Sequence, residues 1–207
     1  MPQSEPHDET SSSAIPRGCS PELRRINSMT AEDVDVLPRF CSQCAARVEV
    51  TSVGGEPVWV CPSCGHRQFR RQWVGVAVVV VEDGRLLMVK RRYGDLAGAW
   101  CIPCGHVGWD EDVREAAVRE LEEETGLVVA LDDVFDVHTT FINRNRHNAG
   151  IWFRGRRLGG KLRAGDDAAG VGFFPLDDIP RPLAFDTDER VIEKLRDVGG
   201  SSASWDR

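Results

Sequence analysis

The run Arg119-Glu120-Leu121-Glu122-Glu123-Glu124 constrains this chain more than any other feature. It sets four carboxylates within five positions, and their mutual repulsion opposes a free helix unless a cation relieves it. On an α-helix Glu120 and Glu124 stand one turn apart at i and i+4, with Glu123 beside them at i+3. Leu121 turns the other way, with Ala117 and Val113, toward a core, and Glu122 falls off both faces into solvent. Glu120, Glu123 and Glu124 would then form a hard oxygen-donor site, which suits Mg2+ or Mn2+ better than zinc. A Glu-rich run taken alone is more often a solvated helix face, so the surrounding residues decide between the two readings.

Those surroundings follow one continuous template. Gly105 is followed after five residues by Glu111, then after seven by Arg119-Glu120, an apolar residue, any residue, Glu123-Glu124, any residue, Gly126 and apolar Leu127. The apolar positions Val113, Ala116, Ala117 and Leu121 recur at helical spacing from Asp112 to Thr125, and Gly126 stands where a left-handed C-terminal cap belongs.

The segment Gly105 to Leu127 resembles the signature box of the Nudix hydrolases, with every defining position filled. The resemblance implies an α/β/α sandwich with a mixed sheet, acting on substrates built as a nucleoside diphosphate linked to another group. It implies that Glu120, Glu123 and Glu124 bind the metal, with a backbone carbonyl near Cys104 or Gly105 as a further ligand. It also implies that Arg119 orients the carboxylates and that Glu111 supports the loop through a charge pair. For the group that takes a proton from the attacking water, a box glutamate or an acid on a later loop remain open, with Asp166 and Asp167 as the loop candidates. Two positions depart from the common pattern: Pro103-Cys104-Gly105 stands where many relatives have Pro-Gly-Gly, and Gly108 occupies a frequently acidic position. These bear on the number of metals held.

The rest of the chain reads in the same direction. Trp73 to Val81 is a Val-rich run, Glu82-Asp83-Gly84 a turn signal, and Arg85 to Lys90 apolar again, which predicts a β-hairpin whose first strand is buried on both faces. Strands are expected at Leu127 to Leu131, Val134 to Ile142, Ile151 to Arg157 and Val171 to Phe174, and a closing helix from Thr187 to Asp197. The order suggests an α/β (α+β) sandwich with a mixed sheet rather than a doubly wound fold, because no Gly-rich βα turn opens the chain. The expected divisions are a disordered tail over 1–25, a zinc ribbon over 38–70, the hydrolase domain over 71–198 and a flexible tail over 199–207. A short helix is expected over Thr30 to Leu37.

Cys41-x2-Cys44, sixteen intervening residues and Cys61-x2-Cys64 have the spacing of a four-thiolate zinc ribbon. A segment this small cannot hold itself together by burial alone, so a structural Zn2+ is the natural staple. A third pair, Cys101-x2-Cys104, precedes the box and reads either as small apolar residues under the loop or as a redox pair.

A net charge of −7 argues against a non-specific grip on nucleic acid or an anionic membrane. No apolar stretch is long enough to cross a bilayer, and Met1 to Ser20 lacks the pattern of a secretory signal, so a cytoplasmic location is expected. A small nucleotide is the expected partner, and a homodimer is left open. Two ribbon-bearing arrangements resemble this one. The NADH pyrophosphatase group carries a Ser-Gln-Pro-Trp motif that has no counterpart between Leu127 and Pro180. The ADP-ribose or FAD pyrophosphatase-like proteins resemble the chain at Phe173 to Pro180 and Leu183-Ala184-Phe185, which favours a dinucleotide or nucleotide-sugar pyrophosphate. Trp100 as a base-stacking residue and Arg144 and Arg146 as phosphate contacts complete the candidate site. Trp73, Trp109 and Trp152 are further aromatic candidates. The competing class is a module that binds nucleotides or a partner without cutting.

Overall fold

The computed structural model describes residues 38–69, 72–143, 146–165 and 167–199. The expectations for the 1–25 tail, the helix over Thr30 to Leu37 and most of the 199–207 tail lie outside these residues. The chain divides into two compact units, Met1–Arg70 and Arg71–Arg207.

In the first unit, β1 (Glu49–Val53), β2 (Glu56–Val60) and β3 (Arg67–Phe69) form an antiparallel sheet in that order. Gly54 and Gly55 join β1 to β2, both at positive φ (63° and 90°), as a tight hairpin turn requires. Two loops of the same design present the cysteines. In one, Ala45 N–H donates to the Cys41 carbonyl at 2.9 Å; in the other, Gly65 N–H donates to that of Cys61 at 2.8 Å. Ala45 and Gly65 both take left-handed backbone at φ 58° and 73°, so each loop curls its pair of thiols inward.

The second unit is built on β4 (Trp73–Glu82) and β5 (Arg85–Arg91), joined through Asp83 and Gly84 at positive φ. Alternation along β4 feeds two cores. Val76, Val78 and Val80 pack under α1 (Val113–Thr125) with Ala117, Leu121 and Phe153, while Ala77 and Val79 pack under α2 (Asp186–Gly199) with Val191, Ile192 and Leu195. The strand is hydrophobic on both faces because a helix covers each. Truncating a core side chain such as Leu121 to Ala would cost roughly 2–5 kcal/mol.

The two hairpin strands pair only at Val81↔Leu86 and Glu82↔Arg85, then separate. The chain from Trp100 to His106 fills the gap: β6 (Trp100–Cys101) pairs β5 and β7 (Cys104–His106) pairs β4. Between them Val78 N–H donates to the Pro103 carbonyl at 3.0 Å, a ladder bond that asks nothing of an imino residue with no N–H of its own. The hairpin expected from sequence is thus present at its turn and forked beyond it.

β8 (Leu127–Asn143), β9 (Arg146–Gly160) and β10 (Ala168–Pro175) complete a seven-stranded mixed sheet with the path β10-β5-β4-β9-β8. The β4–β9 pairing is parallel and the others antiparallel. The two strands expected before and after Asp132-Asp133 are one strand, because register shifts between Leu131 and Val134 absorb the acidic pair as a bulge. β9 runs well past the expected Ile151 to Arg157 at both ends, since its polar ends pair with β8 rather than with a core. Among the described residues no helix is long and apolar enough to cross a membrane.

Candidate active site

Helix α1 is fixed at both ends. Asp112 caps its start, accepting from Arg114 N–H at 2.8 Å, and Gly126 ends it at φ 69° with its N–H on the Glu122 carbonyl at 2.8 Å. The buried stripe of Ala116, Ala117 and Leu121 turns the glutamates toward the fork between β4 and β5.

Glu124 is 4% exposed, and Cys104 N–H donates to its Oε2 at 2.9 Å. Burial pushes its carboxyl up to about 8, helped by the nearby charges of Asp167 and Glu120 and opposed by that N–H and by Arg91. Glu120 lies against the backbone of Gly105, where a Cβ would fall 1.9 Å from its Cδ. Position 105 therefore has room for glycine alone, and that close approach brings β7 onto the carboxylate.

Arg119 organises the outer side. Its Nε and Nη2 form a two-pronged pair with Glu111 at 2.6 and 2.8 Å, and its Nη1 donates to Glu120 at 3.0 Å and Glu123 at 3.1 Å. Nη2 also donates to the His106 carbonyl at 3.3 Å. Glu111 in turn accepts from Gly108 N–H at 2.9 Å, and its carboxyl is held down at about 2, chiefly by Arg119. One guanidinium thereby ties the start of α1, the β7 loop and two box glutamates together.

Glu120, Glu124, Asp167, Cys104 and Gly105 line a cleft of about 590 Å³ together with Asn148, Trp152, Thr140, Thr187 and Asp188. Glu123 is exposed and lies outside this cleft, on the Arg119 side. Trp100 is half-buried in the core, edge-on to Phe174 at 4.9 Å, and does not line the cleft. Asp166 and Arg144 lie outside the described residues, and Arg146 opens β9. Cys101 is fully buried, and the Cys104 thiol is pushed well up by its contact with Cys101 and by burial, which disfavours a reactive thiolate.

Two polar groups of the cleft, Asp188 and Asn148, carry no signal that sequence reasoning used, and a third, Trp152, was a candidate only for its aromatic ring. Asp188 accepts from Ile102 N–H at 3.2 Å, and burial pushes its carboxyl up to about 7 against that N–H, the Trp152 indole and Arg91. Trp152 Nε1 and Asn148 Oδ1 are buried with no partner at hydrogen-bond distance, a state that costs about 1–3 kcal/mol per group. Asp188 was hidden in the acidic first turn of α2, where Asp186, Asp188 and Glu189 read as ordinary helix-dipole partners. Its distinguishing sign, burial, depends on tertiary packing.

The donor set is of the type a hard divalent ion takes, while among the described residues only the four thiols of the first unit already close around one point. The donor groups of the cleft are all oxygens, Glu124 has been taken out of water, and negative charges on Glu120 and Asp167 already press on it. In the first unit the thiols of Cys41, Cys44, Cys61 and Cys64 lie within 4.8 Å of one another, with Sγ–Sγ separations of 3.4–3.6 Å for three pairs. A zinc tetrahedron with bonds of ~2.3 Å has edges of about 3.8 Å, so these thiols fit zinc. Burial raises the Cys61 thiol, but amide N–H groups of Cys64 and Ser63 and the Cys44 thiol bring it down to about 7.

A forked mixed sheet between two helices, with this glutamate helix at the fork, defines a class of hydrolase. The NUDIX domain model matches residues 70–195, and the chain belongs to the Nudix family as a pyrophosphohydrolase. An ADP-ribose pyrophosphatase of Methanocaldococcus jannaschii is 34% identical over 132 residues, covering 63% of this chain and 78% of that protein. The NAD-capped RNA hydrolase NudC of Pseudomonas aeruginosa is 28% identical over 145 residues, 69% of this chain and 49% of that one. Among solved structures, a NUDIX hydrolase from Nitrosomonas europaea superposes with a TM-score of 0.69 at 23% identity, covering 77% of this chain and 91% of that one. A MutT NUDIX hydrolase from Burkholderia pseudomallei superposes with a TM-score of 0.56 at 31% identity, covering 60% and 98%.

Proposed function

We propose that this chain hydrolyses the pyrophosphate bond of a nucleoside diphosphate linked to another group, such as ADP-ribose, FAD or a similar dinucleotide. The observation that carries this reading is the buried Glu124 carboxylate beside Glu120 and Asp167 in a cleft large enough for a nucleotide. The ADP-ribose pyrophosphatase relative supports the substrate class.

Glu120 and Glu124, with Glu123 from the Arg119 side and a backbone carbonyl of Cys104 or Gly105, would hold Mg2+ or Mn2+. When bound, the ion neutralises charge developing on the phosphate oxygens and lowers the pKa of the attacking water. Arg119 holds Glu120 and Glu123 in place before substrate arrives, which spares the reorganisation that loose carboxylates would need. Asp167, in the cleft and within electrostatic reach of Glu124, or a box glutamate would take the proton from the water. Asp166 is its neighbour in sequence. Trp100, Arg144 and Arg146 are left with no assigned substrate contact. The four cysteines would hold a structural Zn2+ in a ribbon over 38–70, ahead of a catalytic domain over 71–198.

Incubation with Mg2+ and a panel of ADP-ribose, FAD, NADH and nucleoside triphosphates, followed by chromatography of products, tests the reading. Release of a mononucleotide from a linked substrate in preference to triphosphates is expected. Tight binding across the panel without cleavage would reverse it in favour of a nucleotide-binding module.

A further inference from the structure

The side of the cleft lined by β9 and the start of α2 holds polar groups that hydrolysis does not use. Parallel pairing of β4 with β9 brings Gly75 and Gly150 side by side as register partners. A Cβ on Gly75 would stand 2.6 Å from Asn148 Nδ2, and one on Gly150 would stand 2.6 Å from the Trp152 ring. Two absent side chains thus clear the floor on which the Asn148 amide and the Trp152 ring meet. Trp152 is 5% exposed; its indole N–H faces the Asp188 carboxyl without closing to hydrogen-bond geometry, and the Asn148 amide oxygen has no partner. Beside them Thr140 and Thr187 join their hydroxyls at 3.4 Å, and Asp188 bonds Ile102 N–H through one carboxyl oxygen.

We propose that this side of the cleft reads the hydrogen-bonding edge of the substrate's nucleobase, with the Trp152 indole N–H as donor and the Asn148 amide oxygen as acceptor above the Gly75–Gly150 floor. The inference rests on the pyrophosphate being cut at the glutamates. A nucleobase carries a donor and an acceptor side by side on one planar edge, which answers both unpartnered atoms at once. A phosphate carries acceptors, so it would leave the Asn148 oxygen unanswered and would face the Asp188 carboxyl that lines the cleft. Arg91, within electrostatic reach of Glu124 and over the Phe185 ring at 5.7 Å, is a cation that a diphosphate would meet in the cleft. The substrate is therefore laid along the cleft with its base against β9 and α2 and its pyrophosphate at the glutamates. Specificity arises because a base of the wrong pattern would keep a buried group unpaired, a stronger form of rejection than shape alone.

Calorimetric titration of the metal-free full-length protein with AMP, GMP, CMP, UMP and ribose 5-phosphate separates base recognition from catalysis. At least one nucleotide is expected to bind about tenfold or more tightly than ribose 5-phosphate. Trp152→Phe, which keeps the ring and deletes the N–H, and Asn148→Ala should each bring that ratio down by about tenfold. In hydrolysis their loss should fall on KM more than on kcat and should flatten the preference among bases, which a merely structural role would not do. Ribose 5-phosphate binding as tightly as every nucleotide overturns the proposal, as does an unchanged base preference in both variants. Selective binding without hydrolysis of any linked substrate would instead overturn the hydrolytic reading and leave this one standing. Hydrolysis with no base preference would do the reverse.

Discussion

A single glycine, Gly105, shows how little slack the site has. Its missing side chain lets β7 lie on the Glu120 carboxylate, and any Cβ there collides with a group that Arg119 also holds. Gly105→Ala should lower kcat by ~10²-fold, since an error of about 1 Å in a catalytic group suffices for that, while leaving metal-free secondary structure by circular dichroism intact. Asp188 offers a test of burial. Its carboxyl titrates at about 7 in the folded chain and near ~3.9 when unfolded, so the native state holds the extra proton between those values. Its contribution to stability is then full below about pH 4 and is lost as pH rises through about 7. Asp188→Asn keeps an oxygen for the Ile102 N–H and has no charge to bury. Its melting temperature should match the parent's near pH 4 and exceed it increasingly toward pH 8; a constant offset across that range would show that Asp188 is not the titrating group. The glutamates were readable from the sequence because their spacing alone forces them onto adjacent turns of one helix. Asn148 and Asp188 were not, because nothing local distinguishes a buried polar group from an exposed one; Trp152 was a candidate for its ring and not for its N–H, and Glu123, a metal-ligand candidate by spacing, bonds Arg119 outside the cleft.

At the scale of elements, periodicity served where one partner decides burial and failed where several do. Helix α1 was legible almost to the residue, from its apolar stripe and the left-handed glycine after it. The forked hairpin was not, because β4 and β5 carry the same apolar signal whether they pair with each other or with β7, β9 and β10. The long β8 and β9 were foreshortened, because their polar ends are held by each other's backbone and so carry no apolar pattern. Gly126 joins α1 to β8 at φ 69°, and a Cβ there would stand 2.6 Å from the Lys161 carbonyl oxygen. Gly126→Ala should therefore cost roughly 1–2 kcal/mol or more in urea denaturation, and the last turn of α1, which carries Glu123 and Glu124, should lose amide protection first.

The whole molecule is two units with two kinds of cohesion. The second has a sheet covered by helices on both faces; the first has a three-stranded sheet whose hairpin loops converge on four thiols. Removal of zinc by a chelator should unfold residues 38–69 and leave the sheet of the second unit protected from hydrogen exchange; equal loss of protection in both would contradict a separate core for each. The charge of −7 is consistent with a protein that meets phosphates through a cation. The most direct test of the account measures Mg2+ affinity and mononucleotide release from ADP-ribose in parallel for the parent, Glu120→Gln and Glu124→Gln. Both variants should bind Mg2+ more weakly and release product at least ~10²-fold more slowly with unchanged circular dichroism, whereas parental rates in both would remove these carboxylates from the reaction.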